Sequence, residues 1–347
     1  MGAQRKNARP RWSRRKFLVH GLIRRALLPA LARADVRAAP ARITSAVRRP
    51  DHAPAEPGGS GTVRSHNSAG GRLTTEVFIN GVRPFHFMID TGAERTVVAA
   101  EIASRLHLPA GPRALLEGIV RSVPTDTVRI QRLRLGRFES REFDAPTLPR
   151  IMLHVDGILG LDVLNGRRVI LDFATHTLTV TGSQGFLAAL WTAFDEVRIP
   201  TLGESGRLRV TDCRIDGVRA AAFVDTGADF TVSNEALFAD CQKKQLALPV
   251  IGRVSLSGVT GGTAVGRVVL FDTLQLGELT LTNTPVVVAD LAVFRLWGLS
   301  HQPALLVGMN CLRAFKWVSI DYGRKLLKFK VAGGASPPDS PVQQPIM

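Results

Sequence analysis

Across residues 71–331 apolar and polar positions alternate in short runs, and this period of two predicts strands. Residues 73–79 alternate polar with β-branched or aromatic side chains, Asn80-Gly81 predicts a two-residue hairpin turn, and residues 84–89 return to end at Asp90. Val98, Ile102 and Leu106 stand at helical spacing, so a short helix is expected over residues 97–106. Pro124-Thr125-Asp126 predicts a projecting hairpin tip, and Val128, Ile130, Leu133 and Leu135 predict a strand closed by Gly136. Ile158-Leu159-Gly160 reads as a buried strand turning into a short helix that Asn165-Gly166 ends, before two last strands at 169–173 and 177–180. Phe186, Leu187, Leu190, Trp191 and Phe194 share one helical face ahead of Pro200, which predicts a helical linker over residues 181–204.

The same order then returns. Asn80-Gly81-Val82-Arg83 matches Asp216-Gly217-Val218-Arg219, and Phe87-Met88-Ile89-Asp90-Thr91-Gly92-Ala93 matches Ala222-Phe223-Val224-Asp225-Thr226-Gly227-Ala228 as an apolar run delivering Asp into Thr-Gly. Further on, Glu117-Gly118-Ile119-Val120 corresponds to Ser257-Gly258-Val259-Thr260, and Leu133-Arg134-Leu135-Gly136 to Leu274-Gln275-Leu276-Gly277. Ile158-Leu159-Gly160 corresponds to Leu306-Val307-Gly308, and Leu171-Asp172-Phe173 to Ile320-Asp321-Tyr322. Ordered matches of this kind mark an internal duplication. It divides the chain into a leader and linker at 1–70, one domain at 71–180, the helical linker, a second domain at 205–331 and a disordered tail at 332–347. The two Asp-Thr-Gly turns are 135 residues apart and Gly160 and Gly308 are 148 apart, so the second copy is longer by thirteen residues, expected near 288–302.

Net charge is +16, but residues 1–50 hold twelve Arg and two Lys against a single acid, which leaves only +4 for residues 71–347. The folded part is therefore not marked as a nucleic-acid binder. Cys213, Cys241 and Cys311 lack metal-ligand spacing, and the eight histidines are scattered singly, so neither a metal nor a cofactor is expected.

Duplicated aspartates have a chemistry that a lone one lacks. One Asp before Thr-Gly is an ordinary turn residue. Two carboxyls brought within a few ångströms cannot both ionise, and the proton they share equips one as general base toward water and the other as general acid toward a carbonyl. Asp90 and Asp225 are the candidates for that pair. Thr91 and Thr226 would reach backbone groups of the opposite turn, Gly92 and Gly227 would offer N–H groups to the carboxylates, and Ala93 and Ala228 complete the supporting turns. Segments around Gly118, Ile119 and Val120, and around Gly258, Gly261 and Gly262, are candidate lids, the second richer in glycine and so the more mobile.

The stretch 222–231 resembles the active-site turn of the retropepsin-like aspartic proteases, and 87–96 is a second, more divergent example. Ile158-Leu159-Gly160 and Leu306-Val307-Gly308 are similar to the family's apolar-apolar-Gly strand that passes behind that turn. The resemblance implies an all-β fold: two closed β-barrel domains with short helices, forming an intramolecular pseudo-dimer that acts as a monomer. It also implies aspartic endopeptidase activity on an extended polypeptide, with Asp90 and Asp225 as the catalytic dyad. Two rival readings stay open, a catalytically weak peptide-binding or adaptor module and a homodimer with composite sites. Glu94-Arg95 departs from the family turn and is expected to change the fit near the cleft.

Ser13-Arg14-Arg15-Lys16-Phe17-Leu18 resembles the twin-arginine export signal of bacteria, and Ala32-Arg33-Ala34 offers small residues for cleavage. Arg24-Arg25 interrupts the apolar stretch, and no segment is long enough to span a bilayer. An exported protein would be periplasmic; a leader that only clings to anionic surfaces leaves it cytoplasmic or peripherally membrane-associated.

Overall fold

The structure is a computed structural model. It describes residues 16–18, 43–45, 61–64, 66–67, 73–136, 138–183, 196–204, 207–244 and 248–331.

The first half closes a six-strand barrel. Leu73–Ile79 turns through Asn80 and Gly81, at φ 51° and 81°, into Val82–Ile89. The positive φ at both positions is what a tight hairpin with right-handed strand twist requires. Val82–Ile89 lies parallel to Gly157–Leu159, which runs antiparallel to Val97–Ala99. Val97–Ala99 lies parallel to Phe138–Leu148, and that strand pairs with Thr127–Leu135. Leu133 and Arg134 then pair with Ile79 and Phe78, and the ring is shut. Ile79, Phe87, Ile130, Leu133 and Ile158 are buried in its core.

The second half follows the same order. Ala221–Val224 lies parallel to Ala304–Val307, which runs antiparallel to Val232–Ser233. Val232–Ser233 lies parallel to Leu279–Val288, the partner of Thr263–Leu276. The counterpart of Leu73–Ile79 is broken in two: Arg207–Val210 pairs with Ala221–Val224, and Cys213–Ile215 pairs with Thr263–Leu276.

A central sheet joins the halves. Arg167–Asp172 runs antiparallel to Phe315–Asp321, with Thr177–Gly182 outside one and Leu326–Val331 and Glu196–Glu204 outside the other. Asp172 and Asp321 are matched residues of the duplication, and the same offset makes Ile170 the counterpart of Ser319. Ile170 and Ser319 are also each other's register partners, while Arg168 pairs with Asp321 and Asp172 with Trp317. The register is therefore symmetric about that pair. Val169, Leu171, Val318, Ile320, Leu327 and Phe329 beneath it belong to one buried cluster that extends into both halves. Each such side chain contributes about 1.5–3 kcal/mol on burial, so this seam is not a loose hinge.

Several expectations need correction. Residues 97–99 are strand, and the helix spans only Ala100–Arg105, because Val97 and Val98 fill the ladder between Gly157–Leu159 and Phe138–Leu148. Pro124 is not at a hairpin tip: it pairs with Leu115 inside Ser122–Thr125, where a residue without an N–H is tolerated. The helical linker does not extend to 204, since Glu196–Glu204 is a strand with Pro200 opposite Leu326. The stripe at 186–194 lies outside the described residues. Residues 61–64, expected in a disordered linker, pair with Thr177–Val180, and Lys16–Leu18 and Ile43–Ser45 likewise add to strands at Leu115–Glu117 and Leu279–Leu281. Strand addition works through backbone hydrogen bonds and needs no apolar pattern. The tail at 332–347 and Arg14-Arg15 lie outside the described residues. The extra length of the second copy is also spread out. Fifteen residues separate Val288 from Ala304 where eight separate Leu148 from Gly157, and the remainder falls before and within the hairpin around Gly258. No helix among the described residues is long and apolar enough to cross a membrane.

Candidate active site

Each Asp-Thr-Gly turn is fixed from behind by its own apolar-apolar-Gly strand. Asp90 N–H donates to Leu159 O at 3.1 Å and Asp225 N–H to Val307 O at 3.0 Å; Leu161 and Met309 N–H donate to Ala93 O and Ala228 O at 2.8 Å each. Such close approach leaves no room for a side chain. A Cβ on Gly160 would sit 2.4 Å from the Arg95 carbonyl carbon, and one on Gly308 2.3 Å from Phe230 O. Thr96 Oγ1 accepts from Gly160 N and donates to Asp162 Oδ1 at 2.7 Å; Thr231 Oγ1 accepts from Gly308 N and donates to Asn310 Oδ1 at 2.8 Å.

Four hydrogen bonds then tie one turn to the other. Thr91 Oγ1 donates to Val224 O at 2.9 Å and accepts from Thr226 N at 3.0 Å. Reciprocally, Thr226 Oγ1 donates to Ile89 O at 2.9 Å and accepts from Thr91 N at 3.2 Å. All of these groups are buried, so each bond left unmade would carry a full desolvation penalty. The lattice sets the spacing of the two aspartates.

Asp90 Oδ1 accepts from Gly92 N and Ala93 N at 2.9 Å each, and Asp225 Oδ1 accepts from Gly227 N at 2.9 Å. Both residues are essentially inaccessible, at 0% and 1% exposure. Asp90 Oδ2 is buried with no hydrogen-bond partner, and the Asp90 carboxyl feels the charge of Asp225. Burial, and next the charge of Asp225, hold Asp90 well above the usual carboxylate range against the pull of the Gly92 and Ala93 N–H groups. Asp225 is raised too, by burial first, with the Gly227 and Ala228 N–H groups opposing. Two adjacent carboxyls pushed up together retain a proton between them at pH values where isolated ones are ionised.

A model of the aspartyl protease family matches residues 75–163 and 211–311, one segment around each turn and more than half of the chain together. The chain belongs to the aspartyl protease family. Its fold is the all-β, retropepsin-like one. No curated protein sequence matches the chain.

Around the turns of this aspartyl protease chain stand two hairpins. Ala114–Glu117 and Ser122–Thr125 form the first, tipped by Gly118, Ile119, Val120 and Arg121; Val250–Ser257 and the start of Thr263–Leu276 form the second, tipped by Gly258 to Gly262. The tips touch. Arg121 Nε donates to Thr260 O at 2.9 Å and Thr260 Oγ1 donates to Arg121 O at 2.7 Å. Gly261 and Gly262, at φ 77° and 81°, cover the Arg121 side chain. Ile119 shares a buried apolar cluster with Phe223 and Ala228, which flank Asp225, so the first hairpin leans onto the second half.

Glu94 and Arg95, the sequence's departure from the family turn, face different partners. Glu94 forms an ion pair with Arg207 at 2.5 Å, joining the first turn to the second half, while Arg95 faces Asp162 at 3.9 Å. Burial raises the Asp162 carboxyl. Tyr322, the sole tyrosine, buries its ring beside Thr91, and burial, followed by the charge of Asp90, pushes its phenol far up. The Phe173-to-Tyr322 difference between matched strands is the one hint of it in the sequence.

Proposed function

We propose that the chain is an aspartic endopeptidase of tandem form, in which residues 71–180 and 205–331 each contribute one aspartate and a single chain holds the complete site. The reciprocal Thr91–Thr226 lattice supports this reading, because it ties together two turns whose buried carboxyls are both raised, as a pair sharing one proton would be. The substrate is a polypeptide in extended conformation, gripped under the hairpins tipped by Gly118 and Gly258.

In the reaction, the ionised member of the Asp90/Asp225 pair takes a proton from a bound water as the water oxygen attacks the amide carbon. The protonated member gives its proton to the carbonyl oxygen, which leaves a neutral gem-diol. The carboxyl that gained the water proton then protonates the nitrogen, the C–N bond breaks, and a diol hydroxyl returns its proton to the other carboxylate as the new carboxyl group forms. The amine leaves and the pair is again singly protonated. Gly92, Ala93 and Gly227 N–H groups keep the reacting carboxyls oriented throughout.

Digestion of a peptide library by the purified chain, with and without a statine-type analogue of the gem-diol, tests the proposal. Asp90→Asn and Asp225→Asn each reduce turnover by at least about a thousandfold, and the analogue inhibits the parent protein. Undiminished cleavage by either variant would end the dyad mechanism.

A further inference from the structure

Among the differences around the two aspartates, one lies in the connection that leads into each apolar-apolar-Gly strand. Between Phe138–Leu148 and Gly157–Leu159 the first half makes a short connection containing the four-residue helix Arg150–Leu153, and this connection holds no Trp, Phe or Tyr. Its most prominent apolar residue, Ile151, is 75% exposed. In the matching place the second half carries the helix Ala292–Leu296 followed by Trp297, Gly298 and Leu299.

Trp297 is held on two sides. The Arg207 guanidinium lies over its ring at 4.4 Å, and the Phe223 ring packs against it at 4.7 Å and 49°. Arg207 is in turn fixed by Glu94, four residues beyond Asp90, and Phe223 stands two residues before Asp225. The ring also packs on the cluster that contains Ile119, Phe223, Ala228 and Leu306. Phe223, Ala228 and Leu306 surround the Asp225 turn, and Ile119 comes from the opposite half. Side chains next to a scissile bond seated on the dyad must enter between such walls, and the contacts with Phe223 and Arg207 set Trp297 beside the Asp225 turn, with no aromatic counterpart on the Asp90 side.

We propose that Trp297 is a specificity-determining residue: it restricts the side-chain subsite on the Asp225 side to small residues such as Gly, Ala or Ser, while the Asp90 side accepts a larger one. This inference rests on the endopeptidase reading and assigns its substrate class, an extended chain with a small residue on one side of the cut. The stack fixes the ring as a wall, in contrast to a gate that swings.

The test compares the full-length protein with Trp297→Ala and with Trp297→Leu, which keeps more of the apolar volume should the larger deletion impair folding. Cleaved bonds in a peptide library are mapped by mass spectrometry, and melting curves confirm that each variant is folded. The parent protein is expected to demand a small residue at one flanking position. The variants gain about tenfold or more in kcat/KM for Leu or Phe at that same position, relative to Ala, with the other flank unchanged. Cleavage that tolerates bulky residues on both sides, or a preference unmoved by either substitution, overturns the inference and leaves the peptidase reading standing. If no peptide is cut, melting shifts with reduced-amide peptides carrying Ala or Phe at each flank give the answer. An Ala preference at one flank that Trp297→Ala removes keeps the subsite and rejects the catalysis; no shift with any peptide rejects both.

Discussion

Asp225→Asn separates the stability of the dyad from its chemistry. In the folded protein burial raises Asp225 from 3.8 to about 7. A group whose folded pKa is raised binds its proton more tightly when folded, so its contribution to stability is full below the unfolded pKa, near 4, and is lost as pH rises through about 7. A pKa higher by about three, at about 1.4 kcal/mol for each, corresponds to a loss of about 4 kcal/mol by pH 8. Asparagine stays neutral over that range. Its Oδ1 can accept from Gly227 N as Asp225 does, and its amide can donate toward Asp90 as a protonated carboxyl would. The Asp90 carboxyl, raised in part by the charge of Asp225, is also relieved. Scanning-fluorimetry or circular-dichroism melts from pH 4 to pH 8 therefore show parent and variant together at the acid end. At about 2–4 °C per kcal/mol for a fold of this size, the variant melts about 10 °C higher at pH 8. Activity is lost throughout. A difference in Tm that stays constant across the range would show that these carboxyls are neither desolvated nor coupled, and the reasoning about a shared proton would fail with it.

Two further outcomes follow from the bonds around the dyad. Thr226→Val removes the donor to Ile89 O and the acceptor of Thr91 N, leaving two buried groups unpaired, and urea titration should show a loss of about 2–5 kcal/mol; a loss under about 1 kcal/mol would mean that the turns are not held by this lattice. Arg121→Ala deletes the Nε contact to Thr260 O, and amide exchange over residues 258–262 should rise about tenfold while residues 118–120 change less, because Ile119 stays seated in its apolar cluster; equal acceleration in both tips would count against an anchored first hairpin.

The parts of this architecture that are legible in the sequence are those fixed by neighbours in the chain. Asn80-Gly81 and Asp216-Gly217 announce hairpins because each pair adopts positive φ, and Gly160 and Gly308 stand out because backbone passes where a Cβ would be. The central sheet leaves no such local trace. Arg167–Asp172 meets Phe315–Asp321 across almost 150 residues, and nothing in either strand names its partner. At residues 196–204 Pro200 looks like a stop, whereas Val197, Ile199 and Thr201 are the buried positions of a strand. Trp297 is hidden differently: its position can be read as an insertion, but its neighbours Arg207 and Phe223 are brought to it only by folding.

What the duplication kept and what it changed divide along a physical line. The turns, the strands behind them, the two glycines and the exchange between Thr91 and Thr226 recur with hydrogen-bond lengths within about 0.2 Å of each other, because two carboxyls share a proton only when their spacing is set from both sides alike. The departures lie one layer out: Asp162 against Asn310 behind the turns, Phe173 against Tyr322 below them, and the short connection at 149–156 against the one that carries Trp297. A symmetric pair has no reason to hold its proton on one member or to read a peptide in one direction. On the proposed reading these unequal surroundings break the symmetry, since they place different charges, dipoles and volumes beside the two carboxyls.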